Sequence, residues 1–214
     1  MTEDVIIVEG LTKSFKDNKV LSDINVSFSK AKIHGLIGRN GSGKTILMKC
    51  ICGLVPPTSG KITVNGSVIG KDTEIPKNIG VIIETPGFLP GYSALQNLKF
   101  LAKINNKADI NAIKSSLILV GLDPDCKKHV GKFSLGMRQR LGLAQAIMED
   151  PDILILDEPM NGLDKDGVKD MRKYLLNLKN KGKTILIASH SAEDIEILCD
   201  TVHEMDKGKI ARLK

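Results

Sequence analysis

The stretch "GRNGSGKT", residues 38–45, has the spacing GxxxxGK[ST], which suits the binding of phosphate. Gly38, Gly41 and Gly43 let the backbone wrap with its amides turned inward, and Arg39, Asn40 and Ser42 lie between them. Lys44 would reach the β- and γ-phosphates of a nucleotide, Thr45 would place its hydroxyl on Mg²⁺, and Ile46 carries the loop into a helix.

Three further stretches could share in that chemistry. In "ILILDEP" four apolar residues end in Asp157 and Glu158. Asp157 would hold Mg²⁺ through water, and Glu158 would orient or deprotonate an attacking water, although two acids can also simply end a strand. In "ILIASHSAEDIEIL", His190 falls between a buried strand and a helix, at the edge where ligands of α/β folds gather. It could donate to a γ-phosphate from there, but a lone histidine in such a place reads first as structural. The fourth stretch, "KFSLGMRQRLGLAQA", is a loop opening a helix, with Ser134 and Gly136 ahead of Leu141, Leu143, Ala144 and Ile147 at helical spacing. A helix start of this kind is a second place for an anion. The chain thus carries two phosphate-binding features nearly a hundred residues apart.

The elements that must position these residues follow from the hydrophobic pattern. Residues 5–29 hold "VIIVEG" and "INVSFS", the second alternating as a half-buried strand, and residues 32–37 form a short strand running into the glycine loop. A helix through "TILMKCICGL" stops at Gly53 before the turn "PPTSG", and "KITVNG" resembles one strand of a hairpin. A strand is expected over 79–83, then a helix from Ser93 with Gln96 three residues on, as in a capping box. Helical patterns run to about residue 149. Beyond Pro151, continuous apolar strands alternate with helices, which indicates a parallel sheet covered on both faces. The expectation is one unit over 1–214: a β subdomain and phosphate-loop part (1–90), an inserted helical subdomain (91–150) and the rest of an α/β core (151–214).

Composition narrows the partners. The formal charge is +6, but most of the excess is scattered lysine, and with 3% aromatic residues and no Trp no stacking platform for single strands is visible; no nucleic acid is expected. Cys50, Cys52, Cys126 and Cys199 show no CxxC pair and read as free thiols. No apolar run reaches the length of a membrane span and "MTEDVIIVEG" lacks the form of a signal peptide. His34, His129 and His203 have no chemical context.

With these segments in order, the sequence resembles the nucleotide-binding subunits of ATP-binding cassette (ABC) transporters over essentially the whole chain. The resemblance implies a P-loop NTPase core, mainly parallel, with an N-terminal antiparallel β subdomain and an inserted helical subdomain. It implies ATP and Mg²⁺ as ligands, ATP hydrolysis as the activity and a place at the cytoplasmic face of the membrane, held there by an integral-membrane permease. A second ATP-binding subunit, identical or closely related, completes two shared sites.

That arrangement accounts for the two phosphate features. In the family a loop like residues 133–137 closes over ATP held by the other subunit, so Ser134, Leu135 and Gly136 would act in trans, with Asp164 signalling across the dimer. Phe15 stands where the family has an adenine-stacking aromatic, usually Tyr, and keeps the π-face. His190 matches the switch histidine, which reverses its structural reading. The chain departs from the family at Asn161-Gly162, where Ser-Ala is customary, and at Leu135 and Met137 in a signature usually Leu-Ser-Gly-Gly-Gln. Glu84 stands where Gln normally touches Mg²⁺ and the attacking water; a carboxylate can also coordinate the metal, at the cost of a negative charge beside the γ-phosphate. Glu84 and "FSLGMRQR" together look like the bacterial subset that exports bacitracin-like and lantibiotic peptides or supports drug resistance. The rival expectations are a soluble cassette acting on ribosomes or DNA, and an importer subunit.

Overall fold

The computed structural model describes residues 3–84, 87–105 and 107–214. Its strands and helices follow the apolar patterns closely. The N-terminal long strands β1 (Asp4–Phe15) and β2 (Asn18–Ser29) pair antiparallel, and β4 (Ser59–Val64) and β5 (Ser67–Val68) extend them into a sheet of order β2-β1-β4-β5. Between them run β3 (Ile33–Ile37) and α1 (Lys44–Ile51), which belong to the second sheet and its cover.

That second sheet has the order β10-β9-β3-β8-β7-β6, formed by β6 (Ile79–Ile82), β7 (Ile153–Asp157), β8 (Thr184–Ala188), β9 (Thr201–Asp206) and β10 (Lys209–Arg212). Strands β9, β3, β8, β7 and β6 are parallel, and β10 alone turns back on β9. The continuous apolar runs of β7 and β8 are explained by burial on both faces. Ile153 and Ile155 of β7 and Leu186 of β8 point toward α1 (Leu47, Met48, Ile51) and the first sheet (Phe28, Ile24), while Leu154, Leu156, Ile185 and Ile187 face the opposite helical layer.

The helices α2 (Ala94–Asn105), α3 (Ile110–Leu119) and α4 (Leu135–Ile147) lie between β6 and β7 in the chain; α5 (Lys165–Asn180) and α6 (Ala192–Leu198) alternate with the last parallel strands. Short polar caps set their starts. Ser93 and Gln96 exchange bonds as a capping box, the Ser93 amide donating to Gln96 Oε1 at 2.9 Å and the Gln96 amide to Ser93 Oγ at 3.3 Å. Asp109, Ser134, Asp164 and Ser191 cap α3, α4, α5 and α6 through their side chains. Helix α1 differs: its N-cap is Gly43, at φ 107°, with no side-chain cap. Gly80 lets α4 lie directly on β6, because a Cβ there would run into the carbonyl oxygen of Ala146.

Two of the histidines without chemical context prove to be packing residues. The Phe28 ring lies edge-on between His34 and His203, at centroid distances of 5.2 and 5.3 Å. His34 is tied to Thr201 Oγ1 (2.7 Å) and the Ser29 carbonyl (2.8 Å), whereas His203 Nδ1 is buried without a partner. Burial, reinforced by the neighbouring charges of His34 and Arg212, pushes the His203 imidazole down to about 4, and burial lowers His34 as well. The unfolded chain therefore takes up protons between pH 6.5 and 4 that the folded chain refuses, so stability is full above that window and declines as pH falls through it. His203 alone should remove about 2 kcal/mol between pH 8 and pH 5. Urea unfolding at the two pH values checks this: His203→Asn should flatten the decline, and an equal decline in the variant would contradict it.

Candidate nucleotide site

The parallel sheet brings the C-terminal ends of β3, β8 and β7 side by side, and each is followed by one stretch singled out in the sequence. The glycine loop leaves β3, Ser189 and His190 follow β8, and Asp157 and Glu158 close β7. Together they line a cavity of about 240 Å³ whose walls include Asn40, Gly41, Ser42, Gly43, Lys44, Thr45, Ile46, Asp157, Glu158 and His190. Arg39 is exposed and lies outside that wall.

Lys44 is nearly buried, and its ammonium donates to the loop's own carbonyls, Gly38 O at 2.6 Å and Arg39 O at 3.2 Å. The loop is thereby closed around a cation. Thr45 Oγ1 donates to Asp157 Oδ2 at 2.8 Å, which joins α1 to the end of β7. Gly43 could not be replaced without cost: beyond its positive φ, a Cβ would approach Leu21 Cδ2 to 2.7 Å.

Two buried oxygens in this cavity, Ser42 Oγ and Glu158 Oε1, have no hydrogen-bond partner among the described residues. His190 Nε2 comes within 3.2 Å of Glu158 Oε1 without the direction of a hydrogen bond, and the His190 amide donates to Oε2 at 3.4 Å. Burial raises the Glu158 carboxyl above the usual range, opposed by the charge and amide of His190 and reinforced by Asp157. A carboxylate so placed is fit to take a proton from water. The uncapped start of α1, the buried Lys44 and the Ser42 hydroxyl leave the cavity suited to phosphate, and the hard oxygens of Thr45 and Asp157 suit Mg²⁺.

Glu84 is not joined to that oxygen pair. Register places it at the same sheet edge, two residues past the pair Ile82 and Leu156, but its carboxylate meets Lys49 Nζ at 2.7 Å. Phe15 ends β1 with its ring 45% exposed and the Lys13 ammonium 4.8 Å from its centroid, so it is a surface ring, outside the core.

Ser134, Leu135, Gly136 and Asp164 do not line the cavity either. They form a separate exposed ridge. Ser134 caps α4 by accepting from the Met137 amide at 3.2 Å, and Asp164 caps α5 by accepting from Gly167 at 3.0 Å. The two caps are fastened together: a Cβ on Gly136 would lie 2.5 Å from the Gly162 carbonyl, and one on Gly162 would lie 2.7 Å from Leu135 Cγ. The two departures Leu135 and Gly162 are thus neighbours, the missing Cβ of one accommodating the branched side chain of the other. Arg140 approaches Asp164 to 4.0 Å, and Gln139 donates to the Glu158 carbonyl at 3.2 Å.

Several of these participants carried no local signal. Gln139, Arg140 and Arg172 act across the fold. Arg172 of α5 binds Asp194 (Nε to Oδ1, 2.6 Å), whose other oxygen accepts from Ser189 Oγ beside His190 at 3.3 Å. Lys49 alone could have been noticed, since it falls one helical turn after Thr45 on the same face.

Comparison with known proteins agrees with this geometry. A family model described as ABC transporter matches residues 21–161. The chain is 48% identical over 206 residues to the uncharacterized ABC transporter ATP-binding protein YybJ of Bacillus subtilis (strain 168), covering 96% of this chain and 94% of that one. It is 44% identical to the bacitracin transport ATP-binding protein BcrA of Bacillus licheniformis, covering 96% of this chain and 68% of the relative. Against the lantibiotic transport ATP-binding protein SrtF of Streptococcus pyogenes the identity is 38%, with 95% and 87% covered. A solved ATP-binding subunit of an ABC transporter superposes with a TM-score of 0.89 at 25% identity, covering 98% of this chain and 90% of that one. The dimeric bacterial ABC transporter cassette MJ0796 superposes at 0.87 and 19% identity over 98% and 99%, a likeness of fold. A glycine loop closed by Lys44, a strand ending in Asp157 and Glu158, and relatives matched over nearly the full chain converge on one conclusion: the chain belongs to the ABC transporter family, among its ATP-binding proteins.

Proposed function

We propose that the chain hydrolyses ATP to drive a separate membrane permease, with peptide antibiotics or drugs as exported cargo. The observation that carries the enzymatic part is the buried Glu158 Oε1, which accepts no hydrogen bond among the described residues and lies 3.2 Å from His190 Nε2, in one cavity with Lys44 and Thr45. Residues 38–46 bind the phosphates, and Lys44 exchanges the carbonyls of Gly38 and Arg39 for phosphate oxygens. Thr45, Asp157 and Glu84 would hold Mg²⁺, which would supply positive charge to offset that of the phosphates. Glu158 accepts a proton from the water that attacks in line, and His190 donates toward the γ-phosphate. Phe15 stacks on the adenine.

Ser134, Leu135, Gly136 and Asp164 act on the nucleotide of a second copy or close relative, which their position outside their own cavity supports. The loop at Glu84 and the helices α2–α4 carry closure to the permease. Among the described residues no helix is long and apolar enough to cross a membrane. The cargo class rests on the bacitracin and lantibiotic relatives.

Glu158→Gln should leave binding and closure intact while blocking water activation. In ATP and Mg²⁺ it should accumulate as a dimer of twice the 23.2 kDa chain mass by light scattering. A monomer at saturating nucleotide would contradict the shared site. For the permease, affinity purification of the tagged chain from gently solubilised membranes should recover a multi-span protein in comparable amount. Ribosomal proteins or nucleic acid in its place would overturn the transport reading and leave only the ATPase.

A further inference from the structure

We infer that Lys49 is a positioning residue for Glu84, one that competes with the metal of bound ATP for the same carboxylate. The inference rests on the nucleotide-site reading above and adds a participant to it.

Lys49 Nζ lies 2.7 Å from Glu84 Oε1, joining α1 to the end of β6. The two residues are 35 apart in sequence, so this bond is a product of the fold. Its ends differ: the Lys49 side chain is 22% exposed and that of Glu84 63%, so Lys49 is the more enclosed member and the Glu84 carboxylate the one more open to solvent and metal. Helical spacing places Lys49 one turn beyond Thr45, whose hydroxyl is already on Asp157.

Charge gives the contact its purpose. Glu84, Asp157 and Glu158 converge on one sheet edge, since β6 and β7 are neighbours in parallel register. Lys44 is turned toward the carbonyls of Gly38 and Arg39, and Lys49 is the cation that meets Glu84. A divalent metal entering between Thr45 and Asp157 supplies the same neutralisation more strongly and can draw the carboxylate away. An amide at position 84 would give Lys49 an ion–dipole hydrogen bond without the opposite charge, so the competition is strongest for the carboxylate this chain carries.

The backbone of Lys49 reaches a second place. Its carbonyl accepts the amides of Leu54 (2.9 Å) and Val55 (3.3 Å), fixing the exit of α1. Leu54 is 55% exposed and walls a cavity of about 600 Å³ with Ile75, Val81, Leu101 and Ile104, between the turn that follows α1, β6, α2 and α4. A single residue therefore touches the carboxylate at the nucleotide edge and the wall of the groove that the helical layer borders.

The test is a Mg²⁺ titration of the binding of a fluorescent N-methylanthraniloyl ATP analogue to the full chain, which reads association without turnover. For an ion pair of this exposure, Lys49→Met should lower the Mg²⁺ concentration at half-maximal binding about two- to fivefold. Lys49→Arg should behave as the parent. In a Glu84→Gln background Lys49→Met should have a much smaller effect, which distinguishes competition from a general change of charge. An unshifted midpoint, a higher one, or an equal shift in both backgrounds would overturn the inference while leaving the ATP site in place. Absence of Mg²⁺-dependent binding in the parent chain would overturn the site reading along with it.

Discussion

The 2.8 Å hydrogen bond from Thr45 to Asp157 depends on sheet order, and so does most of what the molecule can do. Strands β3 and β7 flank β8, and all three run in the same direction, so three loops far apart in sequence open at one edge. Burial of both faces holds that order. Alternate residues of β7 and β8 go into separate cores, so a slip of one residue in register would exchange the two sets of side chains. The phosphate loop, the acidic pair and the histidine are placed by hydrophobic packing that none of them takes part in.

A second unit is built with equal economy on the other side of Glu158. The cap of α4, the turn at Gly162 and the cap of α5 are held together by close backbone approach and by Gln139 and Arg140. Gln139 ends on the backbone of Glu158 itself, so a hydrogen bond ties the base of the exposed ridge to the segment carrying the proposed base. Arg172, Asp194 and Ser189 extend the connection from α5 to the segment bearing His190.

Much of this was legible in the sequence because it is local. Unbroken apolar runs announced β7 and β8, the Ser93–Gln96 box announced α2, and Ser134 announced the start of α4. The phosphate loop was legible because its glycines and Lys44 answer to chemistry at fixed spacing. What could not be read were bonds made by the tertiary fold. The sequence suggested that Glu84 would bring a negative charge for the metal to offset, whereas Lys49 also meets it across two elements. Leu135 and Gly162 stood as two unrelated departures until the fold put one against the other. His34 and His203 offered no signal, since the ring of Phe28 between them is reached only when β2, β3 and β9 have come together.

In the proposed dimer one chain's cavity is completed by another chain's ridge, head to tail. The most direct measurement is cysteine crosslinking between two separately purified proteins, one carrying Asn40→Cys and the other Ser134→Cys, mixed with and without ATP in the presence of Mg²⁺. Both positions are exposed, so neither change should disturb the core. The head-to-tail arrangement predicts a mixed crosslink between the two proteins that forms only with nucleotide. Absence of that product, or crosslinks joining only like positions, would contradict it.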